Sequence, residues 1–511
     1  MAALLTRPRL DQGVIAHGAT VRFVGLVRDI GQPQLLLKDG AETYVETTPY
    51  RCEALPAQTA WASATATSAA TAEVAHPTAA ASRGSRKTKR RENEEEEECV
   101  DAAMPAPAVR VSEPMALPTT LAPTPFQVIV RAYGSTLWKV NHVYEFVGEL
   151  DLTPQAAPDD MDIEWKDADS ATVQEKARAI EFIPTLHATD ASEISFGQDV
   201  GFREDMANPT AWAAAEWAQR LGQPTSVEEM RAQLLGYLAT TAAHGDMVVA
   251  EYLLLVLLSR VYNRSDVSMP FGHLSLNVIW PSMSATDFTG LEQSLHALVP
   301  SCLSLDLSLA ALHDALYFPQ KDYDIEYLHP GLLQLPDGST LVVNEANLTT
   351  GQLDDKGTHN MAALMTLVEH QALPYDFRFY KKEFNQDTKV ICVSTSKSIL
   401  PTTLYVPLQP TTTTTRDGPY SDALLQCFRI YLAVYRHFNT DLGNEGAALA
   451  EQWYIDQRRA DATVGADDLH RLVRVVRLHA VSVGHATVTK DDWDYVVARH
   501  ALVKARLHGL S

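Results

Sequence analysis

The sequence lacks the glycine–lysine step on which phosphate-binding loops depend. None of its 25 glycines is followed by lysine, so the pattern G-x-x-x-x-G-K-[ST], whose amides and ammonium group hold phosphates, does not occur. No H-E-x-x-H, G-x-S-x-G or G-x-G-x-x-G motif is found, and none of the 17 histidines forms a close pair with metal-ligand spacing. We therefore predict no catalytic residue, no cofactor and no metal, and expect a protein that is not an enzyme.

Cysteine and positive charge are also scarce. Five cysteines are scattered without a C-x-x-C pair, which argues against a disulfide framework or a zinc knuckle and favours a reducing compartment. The 42 basic residues are outnumbered by 64 acidic ones, which gives a formal charge of -22 and repels a nucleic-acid backbone unless basic residues gather on one face. We expect no direct nucleic-acid partner and no small-molecule substrate.

Long apolar runs are missing. The N-terminal run is too short for a secretory signal and is interrupted by Pro8. The most apolar stretch, 248–258, is about half of the roughly 20 residues that a bilayer demands, and it contains Glu251. We predict a buried core helix there and no membrane partner.

The sequence pattern of the first half of the chain predicts a β-barrel whose strands are separated by a long insert. Apolar and polar residues alternate after Ala19, so residues 1–53 predict the first part of an OB-like barrel. Small and polar residues dominate 54–125, which predicts a disordered low-complexity insert with basic and acidic runs. Strand patterns resume at Phe126, so 126–185 is assigned to the remainder of the barrel and an acidic connector.

The second half alternates between strand and helix patterns. We expect an α/β domain over 225–410 with a largely parallel sheet, followed by a helical lid domain over 416–511. Helices are predicted over 227–242, 247–261, 291–298 and 361–370, and strands over 274–280, 304–309, 339–343 and 390–394. The predicted fold is thus α/β, with an OB-like barrel, a degenerate AAA+-like domain and a C-terminal lid.

The strand TLVVNEAN, at 340–347, is typical of the element that positions magnesium and water in AAA+ ATPases. Asn344 stands where an aspartate is expected, and an amide cannot supply the anionic charge that Asn344 and Glu345 would need to act as a working pair. The serines and threonines that end the strand at 394–396 occupy the place of a γ-phosphate sensor, yet such residues more often cap loops. We interpret the pair as a Walker-B-like remnant without function.

A basic cluster precedes an acidic run within the insert. It is a candidate nuclear-import signal, and the alternative is a solvated charge run. Its members are Arg86, Lys87, Lys89, Arg90 and Arg91.

Aromatic residues in the barrel offer a second alternative. Tyr133, Trp138, Tyr144 and Phe146 could stack on single-stranded nucleic acid, but nearby cations are few, and a core or protein-binding role is favoured.

Several long segments resemble one known family. The stretches at 231–264, 331–364, 374–377, 428–436 and 466–493, together with TPFQVIVRAYG and the basic-then-acidic insert, are similar in order and content to the minichromosome maintenance (MCM) complex-binding protein family. The resemblance implies a nuclear, non-catalytic protein that binds MCM helicase subunits other than subunit two and acts in assembly, protection or unloading of the helicase. At Asn344 this chain departs from the family, which commonly has an acid there.

Overall fold

The structure, a computed structural model, describes residues 2–37, 44–63, 126–134, 136–153, 183–264, 270–323, 327–411 and 420–509. The strands are β1 (Ala3–Leu4), β2 (Thr20–Ile30), β3 (Gln34–Leu37), β4 (Tyr44–Ala54), β5 (Gln127–Tyr133), β6 (Val143–Asp151), β7 (Thr185–Glu193), β8 (Asn263–Arg264), β9 (Pro270–Phe271), β10 (Ser275–Ile279), β11 (Cys302–Asp306), β12 (Gln320–Asp322), β13 (Tyr327–His329), β14 (Thr340–Asn344), β15 (Ala372–Asp376), β16 (Lys381–Asn385), β17 (Lys389–Ser394) and β18 (Leu404–Pro407). The helices are α1 (Arg7–Asp11), α2 (Pro209–Leu221), α3 (Val227–Ala242), α4 (Met247–Leu258), α5 (Ala285–His296), α6 (Leu309–Asp314), α7 (Asp355–His370), α8 (Asp422–His437), α9 (Gly443–Ala460), α10 (Ala466–Val483) and α11 (Lys490–His508).

The N-terminal strands close into a five-stranded barrel. The ring order is β2-β6-β7-β5-β4, and the ring is closed because β2 pairs with both β6 and β4. Only β5 and β7 run parallel; the other pairs in the ring are antiparallel. Alternate residues such as Phe23, Tyr50 and Phe146 point inward and fill the core. The predicted barrel is confirmed, and its last strand extends past position 185 to Glu193.

The start of the predicted insert is ordered. Residues 55–63 follow β4 and contact the end of α5 and the loop after it. The Thr59 hydroxyl donates a hydrogen bond to the carbonyl of Val299 at 3.0 Å, and the Trp61 indole donates one to the carbonyl of His296 at 3.0 Å. The Trp61 ring and the buried Thr59 hydroxyl thus anchor this short segment to the fold, which its low-complexity composition does not predict. The rest of the predicted insert lies outside the described residues.

A five-stranded parallel sheet organises the second half. Its order is β11-β14-β17-β10-β18, and every neighbouring pair is parallel. Numbered along the chain, the first strand therefore lies between the fourth and the fifth. All residues of β10, β14 and β17 are buried, as expected for a sheet that is covered on both faces. The predicted mixed α/β character is confirmed.

One strand prediction was displaced. The strand expected over 304–309 lies at Cys302–Asp306, and helix α6 begins at Leu309. The Ser308 side chain accepts a hydrogen bond from the amide of Ala311, so it caps this helix instead of continuing the strand.

A buried polar cluster joins the barrel to the α/β part. Gln334, which follows β13, donates from Nε2 to the carbonyl of Arg28 and to Oδ1 of Asn141, both at 3.2 Å. The Tyr375 hydroxyl of β15 donates to the same Asn141 oxygen at 2.8 Å. Arg28 also forms a buried ion pair with Glu53, at 2.8 Å. Buried polar groups of this kind are costly to separate, because each would lose its partner.

The C-terminal helices belong to the main core. Helices α8, α10 and α11 share one hydrophobic cluster with α2, α3, α4, α5 and one face of the sheet, so no separate lid is seen among the described residues. Helix α2 packs into the same core although it precedes residue 225, the expected start of the α/β domain. Its Trp217 indole donates a hydrogen bond to the carbonyl of Cys427 at 3.2 Å. Leu472 and Val476 of α10 and Trp493 and Val496 of α11 are buried in this core.

Glu251 is the charged centre of this helical core. It lies on α4 and is 4% exposed. Its carboxylate accepts hydrogen bonds from Arg231 Nη2 at 2.5 Å and from the Tyr495 hydroxyl at 2.7 Å, and it forms an ion pair with Arg499 Nε at 3.2 Å. His479 Nδ1 lies 3.5 Å away. Burial alone would raise the pKa of Glu251, but these hydrogen bonds and positive charges outweigh it and lower the pKa to about 2. One carboxylate thus connects α3, α4, α10 and α11.

The apolar stretch around Glu251 is buried, as predicted. Every residue from Val248 to Leu258 is covered by protein. Among the described residues no single helix has the length and apolarity of a membrane span; α3 and α4 reach that mark only together, as a pair bent by 112°.

We expect Glu251→Gln to lower the free energy of unfolding by about 3 kcal/mol, since it leaves two partly buried arginines, Arg231 and Arg499, without this countercharge. Chemical denaturation would measure the change. The matched control is Glu369→Gln on α7, where the side chain is 57% exposed and a change within about 0.5 kcal/mol is expected. Equal effects of the two substitutions would contradict the role given to Glu251.

Candidate functional site

The candidate site is the carboxyl edge of the parallel sheet. Strands β10, β14 and β17 end there side by side, and open parallel sheets bind ligands at this edge, where neighbouring connections leave in opposite directions. The chain leaves β10 toward β11 and leaves β17 toward β18, so this crevice lies between β10 and β17. The structure places Asn344 and Glu345 at the end of β14 on the same edge.

Asn344 is used within the fold. Its Nδ2 donates to Oδ1 of Asp306 at 2.7 Å, and its Oδ1 accepts from the amide of Ala346 at 3.1 Å. The side chain is 6% exposed. An aspartate in this position would face the Asp306 carboxylate and repel it, whereas the Asn344 amide donates a hydrogen bond to that carboxylate.

Glu345 is also occupied. One carboxylate oxygen accepts the Ser398 hydroxyl, and the other accepts the amide of Ile399 at 3.3 Å. Burial raises the pKa of Glu345, while these two hydrogen bonds act in the opposite direction. The carboxylate therefore fixes the loop after β17.

The position of a phosphate loop is taken by a short turn. Residues 280–284 connect β10 to α5 and contain no glycine. Trp280 is 3% exposed, and its ring lies 4.8 Å from that of His244. The amide of Met283 donates to the Trp280 carbonyl at 3.2 Å, which closes the turn. The turn is thus packed around a buried indole and has no glycine that would let its backbone approach a phosphate closely.

The first turn of α5 carries its own anion. The Ser284 side chain accepts from the amide of Asp287, and the Asp287 carboxylate accepts from the amide of Ser284 at 2.9 Å, so two of the amides that could hold a phosphate are satisfied. The negative charge of Asp287 further opposes anion binding at this helix terminus.

The end of β17 follows the loop-capping interpretation. The Ser394 hydroxyl donates to the carbonyl of Ser396, and Asn277 Nδ2 donates to Ser394 Oγ at 2.6 Å. Asn277 Oδ1 in turn accepts from the amide of Ser398 at 3.1 Å. These polar side chains satisfy one another.

Neither metal nor nucleic acid gains support from the described parts of the chain. No group of three or more His, Cys, Asp or Glu side chains there could hold a metal ion. In the barrel, Trp138, Tyr144 and Phe146 are buried in the core, whereas Tyr133 is 39% exposed. Three of the four candidate stacking rings are therefore unavailable to bases.

Sequence reasoning missed several of these contacts. Ser398 gave no signal, because a serine in a polar loop is unremarked. Asn277 did give one, since it is an amide within an otherwise apolar strand. The import cluster, Arg86 to Arg91, lies outside the described residues.

Known proteins match most of the chain. A family model described as "Mini-chromosome maintenance replisome factor" matches residues 65–507. Proteins named "Mini-chromosome maintenance complex-binding protein" are 34% identical in Gallus gallus over 292 residues (55% of this chain, 46% of the relative) and 30% identical in Arabidopsis thaliana over 416 residues (80% and 67%). The Homo sapiens relative is 34% identical over 292 residues (55% and 45%). The chain thus spans about half the length of several curated relatives that it matches.

We expect Ser398→Ala to lower the free energy of unfolding by about 1–3 kcal/mol, because a buried carboxylate loses its hydroxyl donor. Urea denaturation would measure the loss. Ser396→Ala is the matched control, since that exposed serine contributes only its backbone carbonyl. If Glu345 were held ready for chemistry instead of structure, Ser398→Ala would leave stability unchanged.

Proposed function

Because the chain belongs to the mini-chromosome maintenance replisome factor family, we propose that it is a non-catalytic protein that binds the MCM helicase of DNA replication. The printed name of its relatives, complex-binding protein, supports binding as the activity. The carboxyl edge of the sheet supports the absence of ATP chemistry, since Asn344 and Glu345 there both form hydrogen bonds within the chain.

The finer role that we propose is regulation of the helicase. The chain associates with MCM subunits other than subunit two, and acts in assembly, protection or unloading of the complex. This part rests on the family resemblance.

We propose that binding works by mimicry of a helicase subunit. The sheet, with its first strand between the fourth and fifth, resembles the AAA+ arrangement of the helicase subunits. Subunits of a ring pack side by side through apolar faces, and a degenerate relative can occupy the face that a neighbour normally covers. The single observation that carries the proposal is this sheet order combined with an edge lacking phosphate-binding groups in the described residues.

The proposed contact is the tip of the β15–β16 hairpin. Phe379 is 84% exposed and Tyr380 is 56% exposed, and Arg378 at the turn has a φ of 59°. Exposed aromatic side chains on a rigid hairpin are expensive to leave in water and are enriched at the centres of protein interfaces.

Affinity purification of the full chain from cells of its own species tests the function. We expect recovery of MCM subunits without subunit two, identified by mass spectrometry. The variant Phe379→Ser/Tyr380→Ser should reduce that recovery about tenfold or more, because aromatic anchors carry much of the energy of an interface.

Leu137→Ser is the matched control, since Leu137 is 80% exposed on the barrel. It should leave recovery unchanged, and thermal unfolding of both variants should match the parent. Recovery of no MCM subunit by the parent would defeat the proposed function. Equal recovery with the hairpin variant would defeat only the proposed contact.

The rival functions have direct assays. A cryptic ATPase would gain thermal stability from millimolar magnesium-ATP, whereas the proposed protein gains none. A nucleic-acid-binding barrel would retain single-stranded DNA with a steep salt dependence.

We propose that the protein acts in the nucleus and enters through the cluster Arg86 to Arg91. Replacing its five basic residues with alanine should move a fluorescent fusion of the full chain from nucleus to cytoplasm, as seen by microscopy. Alanines in place of the neighbouring acids, Glu94 to Glu98, provide the control and should leave the fusion nuclear. An unchanged nuclear signal after loss of the basic cluster would contradict this route.

A further inference from the structure

A large groove lies away from the sheet edge. It is bounded by one face of α10, the end of α8 and the β8–β9 ribbon, and its volume is about 640 Å³. Pockets that hold ligands usually measure about 300–1,000 Å³, so the groove is of binding size.

The groove collects positive charge in an acidic protein. The chain carries a formal charge of -22, yet the groove lining includes one carboxylate, Asp467, among the described residues. The lining arginines are Arg260, Arg436, Arg471, Arg474 and Arg477. His470 also lines the groove.

Two of these arginines already have acidic partners. Arg436 Nη2 lies 2.5 Å from Asp387 and is 4% exposed, so it serves the core. Arg471 lies 3.4 Å from Asp468 in a pair that is well exposed on both sides and therefore weak.

The other three donate to neutral acceptors. Arg260 donates to the Asn439 side chain at 3.2 Å, Arg474 to the carbonyl of His273 at 3.1 Å, and Arg477 to the carbonyl of Thr440 at 2.8 Å. Within the described ranges none of the three has a carboxylate within 4 Å.

Helix α10 places three of the cations on one face. Arg471, Arg474 and Arg477 follow one another at three-residue spacing, and like charges at this spacing repel each other. Arg474 and Arg477 are half-buried in the groove wall, and Arg471 lies at its more exposed rim. Burial lowers the pKa of Arg474, which reflects the cost of holding its charge away from water. An arriving anion would relieve both costs.

The remaining lining is apolar and aromatic. Tyr262 is 48% exposed and Phe271 is 45% exposed, and Phe438 and Val473 lie beside them. The Arg477 guanidinium lies 4.1 Å from the Tyr262 ring centroid, and this cation–π contact holds the guanidinium against the groove wall. A simple anion would leave these rings in water.

We propose that this groove binds an acidic segment of a partner protein in which carboxylates flank a large apolar side chain. The planar guanidinium groups can bind carboxylates with two parallel hydrogen bonds, and the rings of Tyr262 and Phe271 can pack against the apolar side chain. Nucleic acid fits less well, because a phosphate backbone needs an extended basic track, whereas these cations are gathered around one apolar cavity. This inference goes beyond the proposed function and names a second binding surface.

Fluorescence anisotropy with the full chain tests the proposal. The probe is a fluorescein-labelled peptide in which Glu and Asp flank Phe and Leu. We expect saturable binding that weakens as sodium chloride is raised, and no binding by the same peptide with Lys in place of its acids. Arg474→Ala/Arg477→Ala should weaken binding more than about tenfold.

The matched control is Arg458→Ala/Arg459→Ala, which removes the same charge from exposed positions on α9 outside the groove. It should leave affinity within about twofold, since distant exposed charges are screened. Arg471→Glu at the exposed rim keeps the test decisive should the double variant unfold, and it should also weaken binding.

Absence of acidic-peptide binding, or equal binding by the lysine peptide, would overturn the proposal. So would oligothymidylate binding that is lost in the same groove variants, because it would make the groove a nucleic-acid site. Failure of MCM subunits to co-purify would leave the peptide result intact, so the two proposals are separable.

Discussion

The architecture of the second half depends on one buried carboxylate. Glu251 is the only acid in an apolar helix, and four side chains from three other helices converge on it. Moving one of these helices away would leave a buried charge without its partners, which is costly. The same constraint positions α10, and with it both the core face and the arginine face of that helix.

The carboxyl edge of the parallel sheet is held together by polar side chains. Asn344, Glu345 and Ser394 lie at the ends of β14 and β17, and each has an internal hydrogen-bond partner. Buried polar groups at such an edge need partners, and the loop after β17 supplies them for Glu345 and Ser394. The same contacts therefore satisfy these groups and order the loop.

Much of this could be predicted from the sequence. Period-two alternation predicted the barrel, and the helix predicted over 227–242 has those bounds in the structure, where Ser226 and Glu229 form a capping box at its start. Other features depend on contacts between distant segments. Neither the anchoring of Thr59 nor the Ser398–Glu345 bond leaves a local pattern. The pattern of α10 and α11 likewise does not show that they share one hydrophobic core with α4.

The short turn between β10 and α5 also limits what a single substitution could change. A phosphate-binding loop there would require glycines in place of packed residues such as Trp280, a lysine, and removal of Asp287. No one of these changes supplies the others, so affinity for phosphate at this turn would need several substitutions together.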